Sequence, residues 1–450
     1  MMEAKDSKPG KPGLFAKGIT LLGLNRSILL AGGPRMVGML LGPVGSVIIV
    51  FTLSTAQQGM YYVFLSLLGL RTFFELGATA CIGQLTPHHL RDGTPAPEMI
   101  RVAGRWMKRV AFAFGACALL GGSTYLWWCG YHDWWTHSLW VAAVIPTALA
   151  GIQEGRLQLL YGSGQVDEVS KIRWWAVLFQ YGVQWTLLLC GAGLLAFSCA
   201  ALAVALGQEW RLRKCHLWLF EKFPALGNTQ DLWQEMGRLV RRASVVYLAG
   251  YFVLQIQQPI LFRWCGAEAS ARFGFTFTVI NSLLGTAAIW GTVGFPGFAK
   301  MVADGRVEDG FRRFRRIWFQ AALVASLALI AAIAAVEILR WIPRFHDRLL
   351  PLAGMIPLAL AVWIQTVGNC ATHWPRSFKQ EPFAPTAILQ MIITPPAVWG
   401  AVFFLGPDSI GWANLLSWIA GGVSILIITR RYLPGGASAV PFSNKAIAKS

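Results

Sequence analysis

The chain has 450 residues, 55% of them hydrophobic and 13% charged, and a mean hydropathy of +0.51. These values exclude a soluble globular protein and place the chain among polytopic membrane proteins of the all-α class. The net charge of +18 does not point to nucleic acid, because the Lys and Arg residues collect between alternate apolar runs rather than on one face or arm.

In chain order, residues 1–26 form a basic arm, Lys/Pro/Gly-rich up to Gly13, with Leu14 to Leu24 suited to an interfacial helix. The apolar run continues past Ser27 without a small-residue cleavage site, so no cleavable signal peptide is expected. Twelve apolar spans follow, near 27–51, 59–84, 108–129, 138–160, 173–191, 193–209, 242–264, 273–297, 317–339, 350–373, 383–405 and 410–430. With a cytoplasmic N-terminus, only Arg263, Arg272, Arg340, Arg344 and Arg348 fall in external segments. That is the positive-inside pattern, with both termini cytoplasmic. Trp127, Trp128, Trp134, Trp135 and Trp140 cluster at one external loop, and Trp174 and Trp175 at a cytoplasmic entry, as interfacial aromatics do. The eight Cys form no CxxC pair and read as small buried hydrophobes, with Cys129 and Cys265 on the side where a bridge would form.

The polar stretch 208–241 divides the chain into two halves of six spans, 27–207 and 242–433, with a short tail at 434–450. The second half echoes the first at an offset of about 212: Gly59-Met-Tyr falls on Ala271-Arg-Phe, Gly93 on Gly305, and Arg101 on Arg313. Six is even, so the copies share one orientation and are related by an axis along the membrane normal. Two such bundles enclose a central cavity.

The stretch from Ser54 to Gly93 carries the deepest charges. A turn at Ser54 to Gly59 leads into an apolar helix on which Arg71, Thr72, Glu75 and Thr79 share one face. A charge at bilayer depth costs about 2.5–3.5 kcal/mol on insertion scales, so this face is turned to protein or to a wet cavity. Arg35 shares a face of the first span with Gly38, Gly42 and Gly45, small residues that let helices approach. Glu154 approaches the cytoplasmic end of the fourth span, and Gln180 and Gln184 stand four apart in the fifth. In the second half Tyr247, Tyr251, Gln255 and Gln258 make one face of the seventh span, Asn281 lies in the eighth, and Gln365 and Asn369 lie in the tenth. Amides and phenols match sugar hydroxyls as paired donors and acceptors. They serve equally as interhelical glue. Two deep arginines against one deep acid favour an anionic cargo, since the guanidinium fork suits phosphate and carboxylate.

The run Gly59-Met-Tyr-Tyr-Val-Phe ending in Glu75-Leu-Gly-Ala-Thr-Ala resembles the second span of the polysaccharide-transport (O-antigen-type) flippases. Phe295-Pro-Gly-Phe-Ala-Lys-Met-Val-Ala-Asp-Gly305, followed by a basic helix, is similar to that family's Pro-to-small-Gly signature. The family belongs to the multidrug/oligosaccharidyl-lipid/polysaccharide exporter superfamily. The resemblance implies a V-shaped pair of bundles that turns a polyprenyl-pyrophosphate-linked oligosaccharide from the cytoplasmic to the external leaflet of the inner membrane. It implies that Arg35 and Arg71 meet pyrophosphate or acidic sugars, that the second-half amides meet neutral sugars, and that Glu75 or Glu154 couples the step to H+ or Na+. No other cofactor and no metal are expected. The implied partners are the lipid-linked glycan, membrane lipids and other polysaccharide-assembly proteins, and a monomer is expected. The chain departs from drug exporters, which often carry an acid in the first span, and from lipid II flippases, which add two spans.

Two alternatives stay open. A multidrug-type antiporter of the same superfamily would share the architecture. A membrane polymerase or ligase of lipid-linked glycan assembly would need a substantial external loop with catalytic groups, and the external loops here are short; His132, Asp133 and His137 offer no further acid. No GxxxxGK[ST] or HExxH sequence is present, so a secondary transporter rather than an enzyme is expected.

Overall fold

A computed structural model describes residues 26–220, 229–378 and 380–434; the arm before Arg26, part of the 208–241 linker and the end of the tail lie outside them. A hydrocarbon layer offers no partner for backbone N–H and C=O groups, so the chain satisfies them within helices. The first half comprises α1 (Arg26–Thr52), α2 (Thr55–Leu68), α3 (Leu70–Glu75), α4 (Ala78–Leu85), α5 (Pro97–Cys117), α6 (Ser123–Trp128), α7 (Trp134–Gly162), α8 (Val166–Leu189) and α9 (Leu195–Cys215). The second comprises α10 (Gln230–Leu254), α11 (Gln257–Gly285), α12 (Ala288–Ala303), α13 (Val307–Arg340), α14 (Pro343–His346), α15 (Leu352–Ala371), α16 (His373–Arg376), α17 (Ala384–Leu405) and α18 (Ile410–Arg430). Leu90–Arg91 and Thr94–Pro95 pair as a small antiparallel ribbon beyond α4.

Among the described residues, seven helices are long and apolar enough to cross a membrane, or eight if the bent pair α2–α4 counts as one. The twelve expected spans exceed that number for identifiable reasons. Gln230–Ala303 is one helical run of 74 residues, about 110 Å if straight, but Gly266 sits inside it at φ 82°. The Ser270 hydroxyl donates to Gln258 Oε1 at 2.7 Å although the two are 12 residues apart, a separation of about 18 Å in a straight helix. The run therefore doubles back at Gly266 and supplies two passes. Helices α8 and α9 are too polar to qualify by composition, and in α1 the stretch Leu41–Thr52 is a shorter apolar helix, with most of the side chains before it outside the described residues. They pack into the first half all the same: Tyr181 of α8 donates to the Gly38 carbonyl of α1 at 3.2 Å, and Gln153 of α7 to the Ala205 carbonyl of α9 at 2.6 Å.

The sequence stretch expected as a turn and one long helix is built differently. Helix begins already at Thr55, because Ser54 and Gln57 close a reciprocal capping box. It is then interrupted at Gly69 and again at Leu76 and Gly77, both left-handed at φ 49° and 79°, so α4 leaves α2–α3 at 45°. A break at this depth is tolerated because neighbouring helices cover it: the Tyr247 ring lies so close to Gly77 that a Cβ there would meet it at 2.6 Å. The same pass of the second half also breaks, at Thr286 and Ala287 between α11 and α12.

Helices α2 and α11 run side by side where the halves meet. Gln58 donates to the Ala271 carbonyl at 3.5 Å and Ser270 to the Gly59 carbonyl at 3.4 Å, contacts separated by 213 and 211 residues. Equivalent positions of the two repeats thus touch each other, which places the pseudo-two-fold axis between these helices. The approach is tight: a Cβ on Gly59 would stand 2.1 Å from the Ala267 carbonyl oxygen. Val50 and Tyr62 of the first half are buried with Phe273, Phe345, Leu350 and Met355 of the second.

Aromatic and cysteine placements correct two expectations. Trp127, Trp128, Trp134 and Trp135 are exposed as interfacial residues should be, but Trp140 is fully buried against Phe64 and donates to the Ala118 carbonyl at 2.9 Å. All eight Cys are free, Cys129 and Cys265 included, and only Cys81 and Cys370 are buried.

Gly59→Val is expected to destabilise the protein by about 1–3 kcal/mol by forcing the two halves apart. Gly104→Ala, where an added Cβ meets nothing within 4 Å, should be neutral or stabilising by up to about 1 kcal/mol. Thermal unfolding of the two purified variants checks the contrast.

Candidate functional site

Beyond the α2–α11 seam the halves diverge and leave a cavity of about 480 Å³ between them, within the roughly 300–1,000 Å³ typical of small-molecule sites. The first half contributes Gly38 and Gly42 of α1 and Val177, Gln180 and Tyr181 of α8. The second contributes Thr278, Asn281, Ser282 and Gly285 of α11, Ala288 of α12, and Gln365, Thr366 and Asn369 of α15. Helical spacing puts these groups on common faces: Asn281 and Gly285, and Gln365 and Asn369, are four apart. Glycine opens the α1 wall; a Cβ on Gly42 would stand 3.3 Å from the Ser282 hydroxyl.

Four of the amides singled out in the sequence, Gln180, Asn281, Gln365 and Asn369, meet here. Their side chains make no hydrogen bond to any described residue, and Gln365 Oε1 is buried without a partner. Gln180, Asn281 and Asn369 are exposed and Gln365 is half-buried, so the four amides keep their donors and acceptors open to this one space, where a polar guest or water can take them. No Asp, Glu, Lys or Arg is among the described lining residues. Tyr181, Thr278, Ser282 and Thr366 also line the cavity and were not singled out beforehand. Thr278 stands three residues before Asn281 and four before Ser282, helical spacing that could have signalled the face.

The other polar candidates are occupied elsewhere. Gln184, one turn from Gln180, is buried and donates to the Tyr61 hydroxyl at 3.2 Å. Gln258 accepts from Ser270. The helix stops at Leu254 and restarts at Gln257, so Tyr247, Tyr251, Gln255 and Gln258 do not form the single continuous face expected of them. Tyr247 packs on Gly77, Gln255 on Gly69, and Tyr251 is buried edge-on to Phe73. These residues bind α10 and α11 to the broken second pass.

The deep charges are paired inside the first half. Arg71 Nε lies 3.0 Å from Glu75 Oε1, Thr79 donates to Glu75 Oε2 at 3.4 Å, and the Arg71 stem lies along Gly151 of α7. Glu154 accepts from Gln158 at 2.9 Å and pairs with Arg173, while Glu209 bridges Arg156 and Arg213 at 2.8 Å each. Neither Arg71, Glu75 nor Glu154 lines the inter-half cavity. Arg35 belongs to α1, and its side chain lies outside the described residues. No group of three or more potential metal ligands occurs among the described residues.

No family model matches the sequence, and no curated protein does. Solved structures do. An inward-facing multidrug-resistance MATE family transporter of the MOP superfamily matches at TM-score 0.58 and 14% identity, over 89% of this chain and 98% of that one. The fold is that of the MATE transporters. The MATE multidrug transporter DinF-BH matches at TM-score 0.60 and 13% identity, over 96% and 98%. A MOP superfamily transporter from Pyrococcus furiosus, described as having a binding pocket of reverse polarity that suggests a different function, matches at 0.56 and 13%, over 92% and 98%. Identities this low establish the MATE-like architecture and leave the cargo to be argued from this chain's residues.

Glu75→Gln leaves the Arg71 guanidinium without its counter-charge beside a mostly buried partner and is expected to cost about 3–5 kcal/mol. Exchanging the two residues, with Glu at 71 and Arg at 75, should recover most of that loss. Melting temperatures of the purified variants check this; an unaltered Glu75→Gln protein would mean that the pair is not structural.

Proposed function

We propose that this protein is a secondary transporter that turns a polyprenyl-pyrophosphate-linked oligosaccharide from the cytoplasmic to the external leaflet of the inner membrane. The observation that carries this reading is the convergence of four unpaired side-chain amides on an inter-half cavity with no acid among its described lining residues. Side-chain amides offer both donors and acceptors, the combination that sugar hydroxyls require. An organic cation entering a desolvated site needs a carboxylate to answer its charge, and the carboxylates of the first half are already engaged by Arg71 and Arg173. This weighs against the multidrug-antiporter reading, which the MATE-like fold alone would favour.

In this scheme the glycan occupies the cavity, with hydroxyls held by Asn281, Gln365 and Asn369 on one side and Gln180 on the other. The polyprenyl chain stays in lipid, and the basic cytoplasmic stretches, Arg91 to Arg109 and Lys300 to Arg316, face the pyrophosphate at the leaflet surface. Arg35, in the sequence of the helix that lines the cavity, is the candidate for a phosphate or an acidic sugar. Glu75 and Glu154 serve as coupling acids in a first-half network that a proton or Na+ would rearrange. Both termini are cytoplasmic, and the protein acts as a monomer alongside other polysaccharide-assembly proteins.

Depleting the protein in its own cell should cause complete, unpolymerised lipid-linked oligosaccharides to accumulate, shielded from a glycan-modifying enzyme added outside, as read by mass spectrometry. Accumulated units that the external enzyme reaches would place the missing step after translocation and favour a polymerase or ligase. Restoring the cell with an Asn281→Leu, Gln365→Leu double variant should leave abundance intact and slow turnover about 10-fold or more, since each lost hydrogen bond is worth about 0.5–1.5 kcal/mol.

A further inference from the structure

The seam between α2 and α11 closes one end of the cavity, the external end in the orientation proposed above, and cargo leaving that way must part it. The connection between α13 and α15 lies across the same end. At its base it is fastened to its own half: Arg340 donates to the Leu350 carbonyl at 2.7 Å, and the Leu350 N–H donates to the Thr276 hydroxyl at 3.0 Å. Its far side hooks the first half. Phe345 is buried edge-on to Phe51 at 5.5 Å between ring centres. Arg348 Nη1 donates to the Val50 carbonyl at 3.0 Å, to the Leu53 carbonyl at 2.9 Å and to Gln58 Oε1 at 3.0 Å.

All three acceptors of Arg348 belong to the other half, at the corner where α1 ends and α2 begins. The last carbonyls of a helix lack an internal donor and carry its negative dipole end, so a cation seats well there. The same carbonyls can take water when the cation leaves, so opening strands no backbone group. One nitrogen with two hydrogens serves three acceptors, so at least one hydrogen is shared and its bonds are weaker than a full pair, and the Arg348 side chain is only half-buried. These are properties of a bond made and broken in a cycle rather than of a permanent staple.

We propose that the α13–α15 connection is a strap that holds the external end shut, with Arg348 as its latch on the α1–α2 corner. The proposal rests on the reading of the protein as an alternating-access transporter, but not on the identity of its cargo.

The test is a distance measurement by double electron–electron resonance on full-length protein with the native cysteines replaced. Spin labels would sit at Ala56 and Trp341, exposed residues on opposite sides of the latch. Arg348→Met, which keeps the apolar stem and removes every donor, should add a longer-distance population that the parent protein lacks. Arg348→Lys, which keeps the charge, should fall between them. An Arg348→Met distribution identical to the parent's would overturn the proposal. So would a lowered melting temperature with no longer component, the signature of a plain structural bridge. Because no cargo is added, an error in the assigned substrate leaves this result unaffected.

Discussion

Gly59 of one half and Ala267 of the other come so close that no side chain fits between them, and that backbone contact organises the rest of the molecule. It lies on the axis that relates the repeats, so the two second passes start in contact and then part. The cavity lies beyond this contact, between α1 and α8 of one half and α11, α12 and α15 of the other. The left-handed Leu76 and Gly77 turn the first copy's pass by 45°, whereas Thr286 and Ala287 interrupt the second copy's pass with helical dihedrals. A bilayer protein tolerates such breaks only under cover of its neighbours, which is why Tyr247 is laid across Gly77 and why α10 follows the first half so closely.

The polar groups inside the membrane divide by whether they are satisfied. Gln58, Gln184, Gln257, Gln258 and Asn414 have protein partners; Gln257 and Asn414 exchange two amide hydrogen bonds at 2.8 Å. They are glue between helices, worth about 0.6 kcal/mol apiece on average. Gln180, Asn281, Gln365 and Asn369 have none among the described residues, and they line one open space. Charge follows the same division, since the deep carboxylates are answered by arginines within the first half and no acid is among the described residues that line the space between the halves. The unpaired amides and the paired ionisable groups thus occupy separate parts of the molecule.

Much of this was legible in the sequence because bilayer physics is strict. Apolar length marked most of the passes, and the offset of about 212 reappears as contacts 211 and 213 residues apart. Asn281, Gln365 and Asn369 were findable because an amide in an apolar run is conspicuous. What remained hidden depended on neighbours. Nothing local distinguishes Gln184, tied to Tyr61, from Gln180, left free one turn away. Leu76 gives no sign that it will adopt a left-handed conformation. The expected face from Tyr247 to Gln258 failed because helical spacing was carried across Gln255, where the helix stops. Arg71 and Glu75 could be paired from their spacing, but whether their face looked into the cavity or into the first bundle required the position of Gly151.

The central claim is that the amide-lined space accepts the glycan of a lipid-linked oligosaccharide. The most direct measurement is transbilayer movement of such a lipid in proteoliposomes that contain this protein alone, under an imposed H+ or Na+ gradient, followed by an impermeant glycosidase added outside. The account requires glycan that was protected in the inner leaflet to become cleavable at a rate that depends on the protein and falls with the Asn281→Leu, Gln365→Leu variant. Protection that persists with active protein, while a permanently charged dye is moved instead, would contradict it.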